Sequence, residues 1–342
     1  MTVLACDGLS DRAVALKWEE LGGGIGGFNT LTRHASGGGG RTVLTNASAS
    51  NPTGRGLRFT VGEQTHLFAA VAMSDPTHSD RFVPFAFADG ATSILTVAIY
   101  KSTKNMELLQ GAQNGTLLGT HVVNEDWASG VANSIHVEVE LDATAGEARL
   151  YVDGELVIEA TGLTIAAPTS VCIGGTSSSS TSTLRQLQFE DFVAADARIG
   201  DARVLSLTPS AAGALAEFDP SDGTSANWEL VLAGAAIDPD KFVTTDTHGA
   251  RDSHELPALF ADVDRPDLLA VQAWATGTKT DATTRELAAG VRIGTTNYDS
   301  DTVELTGGAT AKKLWTANPA TSAVWTKTAV DAMELTYVAT KP

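Results

Sequence analysis

The sequence predicts an all-β protein: an antiparallel two-sheet sandwich followed by a smaller, mostly-β unit with one short helix. Three observations carry that expectation. Short runs of alternating apolar and polar residues recur along the chain. Clusters of Gly, Asn, Asp and Ser separate them, as turns between strands require. No sustained helical apolar period appears before about residue 320.

The expected strands of the first unit are residues 57–61, 66–73, 82–88, 94–101, 117–124, 135–141, 148–152, 156–159, 170–174, 186–193 and 203–207. The Gly- and Ser-rich pieces LGGGIGGFN, SGGGGRT and GGTSSSSTST read as surface loops. The texture changes near residues 208–225, where TPSAAGALAEFDPSDGTSA reads as a connector. That divides the chain into a sandwich at 1–207, a connector at 208–225 and a second unit at 226–342. The second unit is expected to hold strands at 228–232, 242–245, 268–276, 285–293, 303–305, 311–315 and 334–339. Within SAVWTKTAVDAM, Val324, Lys327, Ala329, Val330 and Met333 fall at helical spacing.

At 342 residues the chain can support two ordinary cores. With 43% hydrophobic and 19% charged residues, it has the composition of a globular protein. Its net charge of −18 repels nucleic acid and anionic membranes, so neither is an expected partner. The N-terminal MTVLACDGLSDR lacks the basic and apolar regions of a secretory signal, so synthesis in a cytoplasm is expected. Two cysteines, Cys6 and Cys172, do not make a disulfide framework.

IHVEVELDATAGEARLYVDGELVIEA, residues 135–160, is the most informative stretch. Ile135, Val137, Val139 and Leu141 alternate with His136, Glu138, Glu140 and Asp142, which predicts a strand with one face on a core and one in water. Asp153-Gly154 signals a type I′ hairpin, and three consecutive antiparallel strands are expected over 135–159. Val137, Val139, Leu150 and Val152 should be buried, and Glu138 and Glu140 exposed.

This hairpin, with its LYVDG, resembles the laminin-G-like branch of the concanavalin-A-like lectin/glucanase fold over roughly residues 1–207. The resemblance implies a jelly-roll sandwich. Some members of that fold hydrolyse glucans with Glu-x-Asp-x-x-Glu or Glu-x-Asp-x-Glu on one strand. Here the order is Glu138-x-Glu140-x-Asp142, and Trp18, Trp127, Tyr100 and Tyr151 are not interleaved with the acids. The row therefore reads as a solvated strand face, and no catalytic residue is assigned.

No other constellation reads as a cofactor or metal site. GGGIGG at 22–27 matches a dinucleotide fingerprint in letters but opens no helix. GGGGRT places Arg41 where a P-loop needs Lys. The Asp-rich pieces DPSDG, DVDRPD, YDSDT and FDP match turn formers better than a calcium loop. His34, His66, His78, His121, His136, His248 and His254 are scattered; only the last two are close, in a piece that reads as a polar loop. Trp228, Trp274, Trp315 and Trp325 read as core of the second unit.

A second resemblance spans nearly the whole chain. DGLSDRAVALKWEELGGG, GRGLRF, HVEVELDATAGEARLYVDGELV, IGDARVLSLTPSAAG, NWELV, AVQAWATGTKTDATTRELAAGVRIGTTNYD and TANPATSAVWTKTAVDAMELTYV occur in this order. That series resembles tailed-bacteriophage structural proteins. The resemblance implies a non-enzymatic virion component on the particle exterior: a head decoration, spike, fibre or tail-associated knob. It would be made in the host bacterial cytoplasm and bound to capsid or tail proteins. A homo-oligomer, with a trimer favoured, is the expected state. The alternative is a lectin-like module that binds a host-surface glycan.

Overall fold

The computed structural model describes residues 1–7, 19–21, 25–30, 41–45, 56–74, 81–100, 103–112, 114–123, 135–175, 185–200, 202, 204–205, 207–231, 240–259, 268–306 and 308–341. These residues form two compact units, one up to Leu205 and one after it.

The first unit is an antiparallel two-sheet sandwich of the jelly-roll class. One sheet runs Glu155–Ala160, Glu147–Val152, Ile135–Asp142, His66–Ser74, Arg185–Ala195, Arg41–Thr45 and Ile25–Thr30, with Val3–Asp7 also paired to Arg185–Ala195. The other runs Thr116–Val122, Asn105–Gln110, Thr92–Tyr100, Arg81–Asp89, Ser170–Gly175, Gly56–Thr60 and Glu19–Leu21.

The inner faces follow from the register. Phe59, Val171, Phe87 and Leu95 lie directly opposite one another across the second sheet, and directly opposed residues share a face. The Phe59 ring meets Phe192 of the first sheet at 5.9 Å, so that face is the core. Phe85, Phe87, Phe189, Phe192, Leu67, Leu95, Ile99 and Met106 are fully buried there. Each such side chain contributes about 1.5–3 kcal/mol by leaving water. The two sheets also close at one edge. A Cβ at Gly119 would sit 2.5 Å from Cγ2 of Ile158, so glycine alone lets the Thr116–Val122 strand approach the Glu155–Ala160 strand.

The meander at 135–160 forms as expected. Val137 opposes Val152, Val139 opposes Leu150, and all four are buried. Asp153 and Gly154 take φ of 49° and 84°, the left-handed pair that a type I′ turn requires.

Several expectations are corrected. LGGGIGGFN was read as a loop, yet Ile25–Thr30 is a strand beside Arg41–Thr45. Residues 204, 205 and 207 carry no strand, where 203–207 was expected to be one. The connector holds a strand: Ala211–Ala216 pairs with Arg251–Glu255, because alternating small side chains let a Gly-Ala segment lie flat against a neighbour. The piece read as a polar loop around His254 is thus a strand, flanked on its other side by Met333–Lys341.

The second unit's main sheet runs Ala211–Ala216, Arg251–Glu255, Met333–Lys341, Glu286–Ile293 and Thr296–Asp299, with Val303–Glu304 also on Glu286–Ile293. A ribbon of Val271–Gly277 and Ala309–Trp315 packs against Glu286–Ile293, and Asp219–Pro220 pairs with Val243–Thr244. Two short helices are described rather than one. Asn227–Leu230 replaces the strand expected at 228–232; Glu229 turns back to accept the Ala226 N–H at 3.3 Å, which favours a helical turn. The other helix is only Lys327–Asp331, because Thr326 caps it by accepting the Ala329 N–H. Val324, expected on its apolar face, is 77% exposed. Trp315 and Trp325 fill the core, with the Trp325 indole donating to the Trp315 carbonyl at 2.9 Å.

Candidate functional site

The acidic row of Ile135–Asp142 lies on the outer face of its sheet, between His66–Ser74 and Glu147–Val152. The expectation that Glu138 and Glu140 are exposed is wrong: they are 0% and 5% exposed. The reason is tertiary. Residues 198–200 lie against this face, and the backbone N–H groups of Ile199 and Gly200 donate to Glu138 at 2.7 and 3.2 Å. Arg198 stands 3.9 Å from the same carboxylate, with its guanidinium 4.4 Å from the centre of the Tyr151 ring. Burial pushes the Glu138 carboxyl above its ordinary value, against the two backbone N–H groups and Arg198, which pull it down.

Glu140 is held as tightly. It accepts from Arg149 at 2.9 Å and from the Tyr151 hydroxyl at 2.9 Å, and it contacts His66 Nε2 at 3.1 Å. Arg149 also donates to Glu147 at 2.6 Å and Glu159 at 2.7 Å, so one guanidinium ties three strands together. Burial, with the bond to Glu140, pushes the Tyr151 phenol up to about 12. Asp142 caps its own turn by accepting the N–H groups of Thr144 and Ala145. A glycosidase needs a carboxylic acid and a second carboxylate on either side of a sugar bond. In this row both glutamates are spent on backbone, Arg and Tyr donors inside the fold.

The described residues place a different polar cluster in the second unit. A cleft of about 280 Å³ is lined by residues including Leu215, Phe218, Asn227, Trp228, Asp252 and His254. Asp252 and His254 alternate along one strand, and Tyr337 lies directly opposite Asp252, so all three share a face. Asp252 is fully buried and receives four donors: the N–H groups of Glu217 and Phe218, the Asn227 amide at 2.6 Å and the Tyr337 hydroxyl at 3.2 Å. His254, 1% exposed, joins its Nε2 to the Tyr337 oxygen at 3.0 Å. Its Nδ1 is buried and has no hydrogen-bond partner. Burial holds the His254 ring below its ordinary value, against Asp252 and Glu334, and pushes the Tyr337 phenol well up, with Asp252 adding to that rise.

Sequence reasoning treated His254 as part of a polar loop and did not single out Asp252 or Tyr337. The signal was the alternation Asp252-Ser253-His254, which is strand-like. The pairing with Tyr337 is non-local and left no local trace. His248, its expected neighbour, is exposed. Asp222 behaves as the turn former it was read to be, held down to about 2 by Ser225 and Thr224. Asp299 pairs with Arg251 at 2.7 Å. The piece DVDRPD, residues 31–40 and residues 22–24 lie outside the described residues, as do the side chains of Trp18, Cys6 and Trp127. Cys172 is buried, packed beside Ala86 and Ala88. Among the described residues no group of three or more His, Cys, Asp or Glu side chains is placed to hold a metal ion.

No protein-family model matches the sequence, and no curated protein matches it. Among solved structures, the chain is similar to an alginate lyase, AlgAT5 of polysaccharide lyase family 7, with TM-score 0.38, 12% identity, and coverage of 55% of this chain and 94% of that one. It is similar to the binding domain of botulinum neurotoxin serotype G, with TM-score 0.37 and 10% identity, over 54% of this chain and 43% of that one. It is also similar to a Trypanosoma rangeli sialidase, with TM-score 0.31 and 17% identity, over 47% of this chain and 28% of that one. At these scores the likeness assigns no function.

Proposed function

We propose that the chain is a non-enzymatic structural component of a tailed-phage virion, displayed on the particle exterior. The observation that carries the non-enzymatic reading is the engagement of Glu138 by the Ile199 and Gly200 N–H groups. It turns the one row of acids that a glucanase reading needs into an internal clasp. The virion reading rests on the ordered sequence resemblance to phage structural proteins. It is supported by the net charge of −18, which keeps crowded copies soluble before assembly and disfavours a DNA-facing position.

In this reading copies associate as a homo-oligomer, a trimer, and bind capsid or tail proteins. Like charge between copies must be overcome by apolar contact. Trp315 and Trp325 are used in the core and are not available for that role. Exposed Phe242 and Val324 in the second unit, and Leu117, Val122 and Leu156 in the sandwich, are the better candidates.

Cryo-electron microscopy of intact particles tests the assignment: symmetric density for the chain on the outer surface is expected. Absence from purified particles, or density against the packaged DNA, overturns it. Reproducible polysaccharide cleavage by the purified protein, lost on Glu138→Gln with Glu140→Gln, overturns the non-enzymatic half alone.

A further inference from the structure

The cleft of the second unit is apolar where it is open. Leu215, Phe218, Pro220 and Trp228 line it and are each half-buried, so each keeps surface that a partner can cover. The acid and the amide beside them are already engaged. Asp252 is saturated by four donors, and Asn227 donates to Phe218 O at 2.8 Å and to Asp252 at 2.6 Å. At about 280 Å³ the cleft falls just below the roughly 300–1,000 Å³ of small-molecule pockets. Its size suits a large side chain instead, of the kind that anchors a protein contact by filling a pocket.

The margin of the cleft is acidic. Glu217, Asp219 and Glu229 each adjoin a lining residue in sequence, and Asp222 lies between lining Pro220 and Ser225. The Ser221 hydroxyl donates to the Asp240 carbonyl at 3.1 Å, which brings Asp240 beside Pro220. All five acids are exposed. Residues 211–231 and 240–249 carry six Asp and Glu against one Lys or Arg, where the whole chain carries 41 against 23. The bias is therefore local, and exposed charges act over about 8 Å at physiological ionic strength. A second copy of the chain would bring the same acids and meet like charge here, so the occupant is a different protein.

We propose that this cleft docks a partner protein through a segment in which an apolar side chain is flanked by Lys or Arg. The apolar side chain seats against Trp228 and Phe218, and the flanking cations face the acids of the margin. Such complementarity steers encounter and selects the partner, while the buried anchor supplies affinity. The proposal stands apart from the virion reading and holds or fails wherever the chain resides.

The test is NMR titration of the ¹⁵N-labelled full chain with the capped peptides Lys-Lys-Leu-Leu-Lys-Lys, Lys-Lys-Ser-Ser-Lys-Lys and Glu-Glu-Leu-Leu-Glu-Glu. The readout is the Trp228 indole N–H resonance, which Trp228→Phe assigns. The first peptide is expected to bind saturably, in the millimolar range or tighter, and to shift that resonance; the other two are not. Raising salt from about 20 mM to about 500 mM should weaken binding at least about threefold. Ala216→Trp fills the cleft from an exposed lining position and should weaken it at least about tenfold. Asp219→Lys with Asp240→Lys leaves the cleft open and should weaken it about threefold or more. If Ala216→Trp does not fold, the charge reversal decides alone. No saturable binding of the basic apolar peptide, equal binding of either comparison peptide, or binding that survives Ala216→Trp overturns the proposal. Binding indifferent to salt or to the charge reversal overturns it as well.

Discussion

The Ile199 N–H donates to the carboxylate of Glu138 at 2.7 Å, joining residues 61 positions apart in sequence on the outer face of the first sheet. Gly200 adds a second N–H at 3.2 Å. A side chain with the alternation of a solvent-facing residue thereby becomes the acceptor for backbone groups that would otherwise be buried without one.

Glu138→Gln should destabilise the sandwich. An amide keeps one oxygen but sets an NH₂ against the other backbone N–H, and a buried donor left unsatisfied costs about 1–3 kcal/mol. Urea unfolding followed by a probe in the first unit measures it. A change within about 0.5 kcal/mol, as for an ordinary surface position, would remove the clasp.

The pH dependence of stability separates Glu138 from His254. Glu138 has its folded value raised above the ordinary 4.5, so its contribution is fully present below that value and is lost as pH rises through the folded one. His254 is lowered below the ordinary 6.5, so its contribution is intact above 6.5 and is lost as pH falls toward the folded value. Against wild type, Glu138→Gln should therefore flatten the stability of the first unit just above pH 4.5. His254→Phe should flatten that of the second unit below pH 6.5. Unfolding curves across this range with unit-specific probes check both signs.

Arg149→Met strands Glu140, which is 7% exposed in its side chain, without its guanidinium. Breaking a buried pair costs about 3–5 kcal/mol; the 22% exposure of Arg149 reduces that to about 2–4 kcal/mol. Glu159→Gln, at the 48% exposed end of the same guanidinium, should cost less than about 1 kcal/mol. Equal costs for the two substitutions would contradict the burial argument.

Gly119→Ala places a methyl where Cγ2 of Ile158 already lies within 2.5 Å, and overpacking of this kind costs about 1–3 kcal/mol. In a double-mutant cycle Ile158→Ala should absorb that cost, so the pair is less destabilised than the two single changes summed. Strict additivity would mean that the two edge strands do not meet there.

Alternation and turn chemistry are local, and they determined the meander over 135–160, the type I′ turn at Asp153-Gly154 and the inner row of Val137, Val139, Leu150 and Val152. The same alternation said that the other face is polar, but not what it meets. Glu138 and Glu140 were misplaced in water because the Ile199–Gly200 backbone, Arg149 and Tyr151 reach them through the fold, and a strand's period does not record its distant donors. Ala211–Ala216 was hidden for a related reason: a strand of Ala and Gly has too little apolar contrast to show a period, and only its partner Arg251–Glu255 defines it. Asp252, His254 and Tyr337 lie up to 85 positions apart and became a cluster only when strand pairing set them opposite one another.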